Sequence, residues 1–268
     1  MAGYVDIHAH ILPGIDDGPE DLQGSVAMAR AAAESGITTL VATPHLRSDF
    51  PNVHVRELAD RCHALQEAID HEQIPLRIVS GAEVSLVWAL NASDDELELA
   101  SYGQRGTDLL IETPSDLTMI DPDLYTVRAR GFRITLAHPE RSRQFQCDPE
   151  RIEALSEQGL LLEVNAEALL FPRRSATRKL AEHLCRSGQA HTLASDGHRA
   201  ASGRPVTVLA DGMPAATTLV GQARAEWMSS AAPAAIVCGE SLPKGPEIET
   251  GRRRQRRRNP LRGLQSMP

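Results

Sequence analysis

The sequence predicts a single α/β domain whose parallel strands curl into a barrel-like sheet, and three observations lead there. Seven short runs rich in β-branched residues alternate with amphipathic stretches between residues 4 and 196. That β-then-α order implies parallel strands joined by right-handed crossovers. Glycines at 36, 131, 159 and 188 each stand where a helix would end and a strand begin, the usual C-terminal helix stop. Finally, 268 residues suffice for one full core, and seven such strands favour one barrel over two open half-domains.

Taken in order, the strand runs are YVDIHA (4–9), ITTLVATP (37–44), LRIVSGAEV (76–84), TDLLIET (107–113), FRITLAH (132–138), LLLEVNA (160–166) and AHTLASD (190–196). Amphipathic helices are expected over 20–35, 54–72, 120–130, 148–158 and 175–187. Residues 231–246 are rich in Ala, Pro and Gly, and an arginine run follows. The stretch from about 240 onward therefore reads as a flexible tail. No internal repeat is evident.

Composition narrows the function. Hydrophobic residues make up 41% and charged residues 24%, as in ordinary soluble domains. Aromatics at 3% leave little for base or sugar stacking. No apolar run of about 18 residues occurs, and the opening MAGYVDIHAH lacks the basic start and apolar stretch of a signal peptide. Cys62, Cys147, Cys185 and Cys238 are scattered, with no C-x-x-C pair, which suits a reducing compartment. The expected location is cytoplasmic. The net charge of −8 conceals seven arginines in the tail, at 252, 253, 254, 256, 257, 258 and 262; removing them leaves −15 on the body. An acidic body is poorly suited to nucleic acid, which is not an expected partner.

The chemistry-bearing residues share a position. They sit at or just past the C-terminal ends of the strands: Asp6, His8 and His10, then Asp16 and Asp17; His45; Glu83; Glu112; His138, Glu140 and Arg141; Asp196 and His198. In parallel barrels that face gathers the catalytic groups, because the loops there vary without disturbing the core. Alternate residues of a strand point one way, so His8 and His10 present two imidazoles to one side, and Asp196 with His198 repeats the pattern. A lone H-x-H is weak evidence. Six such elements in register imply a metal site, and their number exceeds what one tetrahedral ion needs, so two or three ions are expected. Mixed imidazole and carboxylate donors suit Mn, Fe or Zn better than Ca or Mg. His54, His63, His71, His183 and His191 lie in helical or turn stretches and read as structural.

Other hydrolytic chemistries lack their residues. None of the four cysteines is followed six positions later by Arg; those positions hold Ala68, Glu153, His191 and Lys244. No G-x-x-x-x-G-K-[ST] loop, G-x-G-x-x-G element or G-x-S-x-G elbow is present. Water activated by metal is left as the nucleophile.

The motifs D-I-H-A-H-I-L-P-G-I-D-D-G-P, A-T-P-H, G-A-E-V, L-I-E-T, L-A-H-P-E-R and A-S-D-G-H together resemble the PHP (polymerase and histidinol phosphatase) superfamily. They resemble most its CpsB/YwqE branch, the manganese-dependent protein-tyrosine phosphatases of bacterial capsule and exopolysaccharide systems. The match runs in order from about residue 4 to 205. The resemblance implies a distorted seven-stranded, TIM-like (β/α)7 barrel; with the composition of the C-terminal stretch, the expected domain is residues 1–240 and 241–268 a flexible basic tail. It implies three metal ions, most simply Mn2+ with Fe, Zn, Co or Mg as alternatives. Their ligands would be His8, His10, His45, Glu83, Glu112, His138, Asp196 and His198, with Glu83 bridging and either Asp17 or Asp16 completing the third site. Arg141 and Arg204 match arginines that bind the phosphate, and Asp196 and His198 join them as catalytic residues. The implied substrate is a phosphotyrosine protein, in particular a membrane-associated bacterial tyrosine kinase.

The chain departs from the branch in two places. The sixth strand reads E-V-N-A-E-A-L where relatives resemble Q-x-T-S/A-G-S-L, and Thr113 follows L-I-E in place of an aromatic residue. Alternative readings are another phosphoesterase of the superfamily (a histidinol-phosphate phosphatase or a phosphodiesterase) and a non-catalytic scaffold. The arginine tail is expected either to be solvated or to meet anionic lipid at the inner face of the membrane, at about 1 kcal/mol per arginine.

Overall fold

The computed structural model describes residues 3–113 and 120–249. Its strands are β1 (Tyr4–Ala9), β2 (Ile37–Ala42), β3 (His45–Leu46), β4 (Arg77–Ser80), β5 (Glu83–Ser85), β6 (Asp108–Glu112), β7 (Arg133–Leu136), β8 (Leu161–Asn165) and β9 (Thr192–Ala194). All pair in parallel, in the orders β1-β2-β4 and β3-β5-β6-β7-β8-β9.

The seven predicted strands are all present, but the second and third are each broken in two. Pro44 interrupts β2–β3, since it has no N–H to give the ladder, although its carbonyl still accepts from Glu83 N at 3.1 Å. Gly81 interrupts β4–β5, where a Cβ would come 2.8 Å from Val41 and 3.1 Å from Tyr102. The two sheets are thus halves of one curled layer. First and last strands meet at its seam: Asp196 N donates to His8 O at 2.9 Å, and His10 N to Gly197 O at 2.8 Å.

Each predicted helix is found: Leu22–Glu34, Leu58–His71, Asp121–Ala129, Pro149–Glu157 and Ala176–Ser187. Their buried faces carry helical spacing, as in Leu58, Cys62, Leu65 and Ile69, or Leu180, Ala181, Leu184 and Cys185, and they dock on the apolar outer face of the sheet. Asp21 caps the first helix by accepting from Gly24 N at 2.8 Å, and Gly188 ends the last with φ of +82°, a conformation glycine takes without strain.

Several elements were not read from the sequence. Helices Leu86–Asn91 and Asp94–Ala100 follow β5, the latter opened by a capping box between Ser93 and Glu96. After residue 207 the chain is helical again over Val208–Val220, Gln222–Glu226 and Ala232–Val237, with a π-helical turn at Trp227–Ala231. Ile236 and Val237 from this region join Val5, Ile7, Val41, Val79 and Tyr102 in a second apolar cluster. Residues 240–249 run along the body: Trp227 Nε1 donates to Pro243 O at 3.1 Å, Glu249 N to Val220 O at 3.1 Å, and Leu242 and Ile248 pack on the core. The arginine run from 252 lies outside the described residues. Among those described, no helix is long and apolar enough to cross a membrane.

Candidate metal centre

The strand ends converge on one buried cluster. His8 and His10 are fully buried, and Asp6 beneath them accepts from His8 N at 3.3 Å and Ser195 N at 3.1 Å, pinning β1 to the last strand. Burial pushes the Asp6 carboxyl up to about 6 against the pull of those donors. The loop after β1 then folds back over its own strand. Gly18 is required there, since a Cβ would sit 2.4 Å from His10 O.

Glu83 occupies the middle. Its Oε2 lies 2.8 Å from His45 Nδ1, 3.4 Å from His10 Nε2 and 3.5 Å from His8 Nε2, and its Oε1 lies 2.8 Å from His138 Nε2. Asp196 stands opposite, with Oδ1 3.5 Å from both His8 Nε2 and His10 Nε2. Its other oxygen, Oδ2, accepts from Asn165 Nδ2 at 2.9 Å, from Arg141 Nη1 at 2.6 Å and from Arg204 Nη2. Arg204 reaches it because the loop after Asp196 doubles back, with His198 N bonded to Arg204 O at 2.8 Å.

The two adjacent aspartates differ. Asp16 Oδ2 is 2.8 Å from His10 Nδ1 and accepts from His45 N at 3.3 Å. Asp17 Oδ1 instead faces the ring nitrogens of His198 at 3.1 Å and His45 at 3.5 Å. Glu112 reaches the cluster beside His45 and Glu83, and is held by Arg47 Nη1 at 2.8 Å.

Donor atoms fall into four overlapping groups, each within 4.8 Å: His10–Asp17–His45–His198, His8–His10–Asp196, His8–Glu83–His138 and His45–Glu83–Glu112. The atoms facing inward are orphaned. His8 Nε2, His10 Nε2, His45 Nδ1, Glu83 Oε2, Asp196 Oδ1 and His198 Nε2 are buried without an aligned hydrogen bond, even where nitrogen and carboxylate approach closely. Burying so many unpaired polar atoms is costly unless cations sit between them. This donor set fits divalent transition ions.

The imidazoles and carboxylates of the cluster favour one another's charged forms. Burial opposes charge on His8 and His10, but Glu83, Asp196, Glu163 and Asp16 outweigh it, taking His8 to about 10 and His10 well above its usual value. Burial likewise opposes charge on Glu83 and Asp196, yet the imidazoles hold both well below the usual carboxylate range.

A cavity of about 880 Å³ opens beside the cluster, lined among others by Arg47, Phe50, Trp88, Glu112, His138 and Arg141. Phe50 stacks on His45 with ring centroids 4.8 Å apart. Thr113, in place of an aromatic residue, forms part of the wall.

The ten expected metal ligands and the two expected phosphate-binding arginines lie in this one cluster or at its rim. Sequence reasoning did not single out Arg47, Phe50, Trp88 or Glu163 as site residues, and noted only a departure from the branch around Asn165. The last two stand two apart on β8, as His8 and His10 do on β1, and that alternation was the available signal.

The family model for capsular polysaccharide synthesis proteins, CpsB/CapC, matches residues 4–237. The tyrosine-protein phosphatase YwqE of Bacillus subtilis is 32% identical over 199 residues, covering 72% of this chain and 77% of the relative. The tyrosine-protein phosphatase CpsB of Streptococcus pneumoniae is 23% identical over 209 residues, covering 75% and 85%. A crystal structure from the work on YwqE and CpsB, described as metal-dependent tyrosine phosphatases, superposes with a TM-score of 0.77 at 25% identity, covering 91% of this chain and 98% of that one.

Proposed function

The chain belongs to the CpsB/CapC family, and on that premise we propose that it is a metal-dependent tyrosine phosphatase with three Mn2+ ions in its barrel mouth. The carrying observation is the set of orphaned inward-facing atoms around Glu83 and Asp196, with two arginines directly above. The four donor groups would hold the ions: Asp17 serves with His10, His45 and His198, while Asp16 supports His10 from behind. Bound there, divalent ions supply Lewis acidity and an activated water.

The chain's own residues do the rest. Arg141 and Arg204 share one carboxylate oxygen of Asp196, and each guanidinium keeps further donors for phosphoryl oxygens, whose planar fork matches that geometry. Asp196 thereby holds both arginines while its second oxygen faces His8 and His10; His198 is tied to the backbone carbonyl of Asp196 at 2.9 Å through Nδ1. The cavity gives a substrate ring apolar surface from Phe50 and Trp88. A tyrosine phenol, with a pKa of about 10, is a better leaving group than an alkyl alcohol, which favours aryl over serine phosphoesters.

The substrate protein is proposed to be a membrane-associated bacterial tyrosine kinase that governs capsule or exopolysaccharide synthesis, in keeping with the family's description. The arginine-rich tail would bring the enzyme to the anionic inner face of the membrane, from the cytoplasm. The test is turnover of phosphotyrosine peptides, phosphoserine peptides and histidinol phosphate by Mn2+-loaded protein. Preferential release from phosphotyrosine is expected; preference for histidinol phosphate would overturn the substrate assignment.

A further inference from the structure

Glu163 touches two parts of the centre without facing its focus. It is fully buried on β8. Its Oε2 lies 3.1 Å from His8 Nδ1 and accepts the backbone N–H of His138 at 3.1 Å. The first contact decides which edge of the His8 ring is engaged. With Nδ1 taken, Nε2 is the nitrogen left over, and it is the buried, orphaned atom facing Glu83 and Asp196.

The second contact acts on backbone. His138 has φ of +33° and ψ of +53°, a left-handed conformation that non-glycine residues adopt only when their surroundings compel it. That turn brings His138 Nε2 to 2.8 Å from Glu83 Oε1 and stacks its ring on His8, with centroids 5.4 Å apart. His8, Glu83 and His138 form one donor group. A single carboxylate oxygen therefore orients two of its three members.

We propose that Glu163 is the positioning residue of the His8–Glu83–His138 ion site. It fixes the ring of one ligand and the backbone turn that presents another. Its charge also raises the basicity of His8 toward an ion, as carboxylates behind metal-bound imidazoles do. This rests on the metal-dependent reading above, and the experiment separates the two.

The full chain, stripped by chelator and dialysed, is titrated calorimetrically with Mn2+ beside E163Q and E163A. Glutamine keeps an oxygen that accepts from both N–H groups but carries no charge. One Mn2+ is therefore expected to bind about tenfold more weakly in E163Q and about 100-fold more weakly in E163A. The ion held by His10, Asp17, His45 and His198, a group that shares no member with His8–Glu83–His138, should stay within about threefold of the parent. The circular dichroism spectrum of ion-free E163Q should match the parent, which shows that the variant folds. Unchanged affinity for every ion in E163Q, or equal weakening of all ions, would overturn the assignment, and E163Q alone decides if E163A does not fold. A parent chain that takes up no Mn2+ overturns the metal reading and this assignment with it.

Discussion

Asn165 Nδ2 donates to Asp196 Oδ2 at 2.9 Å, on the same oxygen that receives Arg141 and Arg204. Three donors on Oδ2 leave Oδ1 as the oxygen that faces His8 and His10. Replacing Asn165 with Leu removes the neutral donor and leaves the arginines as the partners. Loss of one buried hydrogen bond to a charged group is worth about 1.5 kcal/mol, or roughly a tenfold fall in kcat. Steady-state turnover with elemental analysis checks this, with the metal content expected to stay at the parent value.

Asp16 and Asp17 should separate in the same assay. Asp17 faces His45 and His198, so Asp17→Ala is expected to lose one ion per chain. Asp16 sits behind His10, so Asp16→Asn should keep the ion count at full loading while weakening one site about tenfold. Equilibrium dialysis across a Mn2+ concentration series distinguishes a missing site from a weak one.

Much of this centre was legible because strand-end position and two-residue alternation are local signals. His8 with His10, and Asp196 with His198, announce themselves within a few residues. The choice between Asp16 and Asp17 was not local, because it depends on how the loop crosses His10 and which carboxylate meets His198 from the far side of the barrel. Glu163 and Arg47 were missed for the same reason: their partners lie 155 and 65 residues away. The helices after residue 207 escaped because Pro214, Pro233 and a run of alanines mask amphipathic spacing. Pro214 falls inside Val208–Val220, and Pro233 follows closely on the π-helical turn Trp227–Ala231.

Arg141→Lys and Arg204→Lys should each lose activity although charge is kept. An ammonium presents point-like donors and no planar fork. Loss of paired hydrogen bonds to a phosphoryl group predicts a fall of about 10- to 100-fold in kcat/KM. Inorganic phosphate should inhibit each variant more weakly than the parent, which product-inhibition kinetics would reveal. Equal inhibition would remove that arginine from phosphate binding.

Chelation should abolish turnover, and Mn2+ should restore it. Ions that bind the folded centre and not the unfolded chain also stabilise the fold, by about 2.7 kcal/mol at 100 times the dissociation constant. Thermal unfolding with and without EDTA measures this independently of catalysis. The midpoint should rise with Mn2+ in the parent and less in Asp17→Ala.

His191, away from the centre, gives a pH dependence of its own. Its Nδ1 accepts the backbone N–H of Leu162 at 3.1 Å, which only an unprotonated nitrogen does. Burial and the nearby Arg224 guanidinium lower the imidazole to about 4, from 6.5. The folded state therefore favours neutral His191, and its contribution is complete above pH 6.5. It falls as the pH drops from 6.5 toward 4, because the unfolded chain takes up a proton that the folded one refuses. The most it can cost is about 3 kcal/mol. His191→Asn supplies an oxygen in place of Nδ1 and does not titrate. Urea unfolding of ion-free parent and variant at pH 7.5 and 4.5 isolates the effect, since the metal ligands titrate alike in both. The parent should lose more stability than the variant between the two pH values; equal losses would show that His191 does not carry the change.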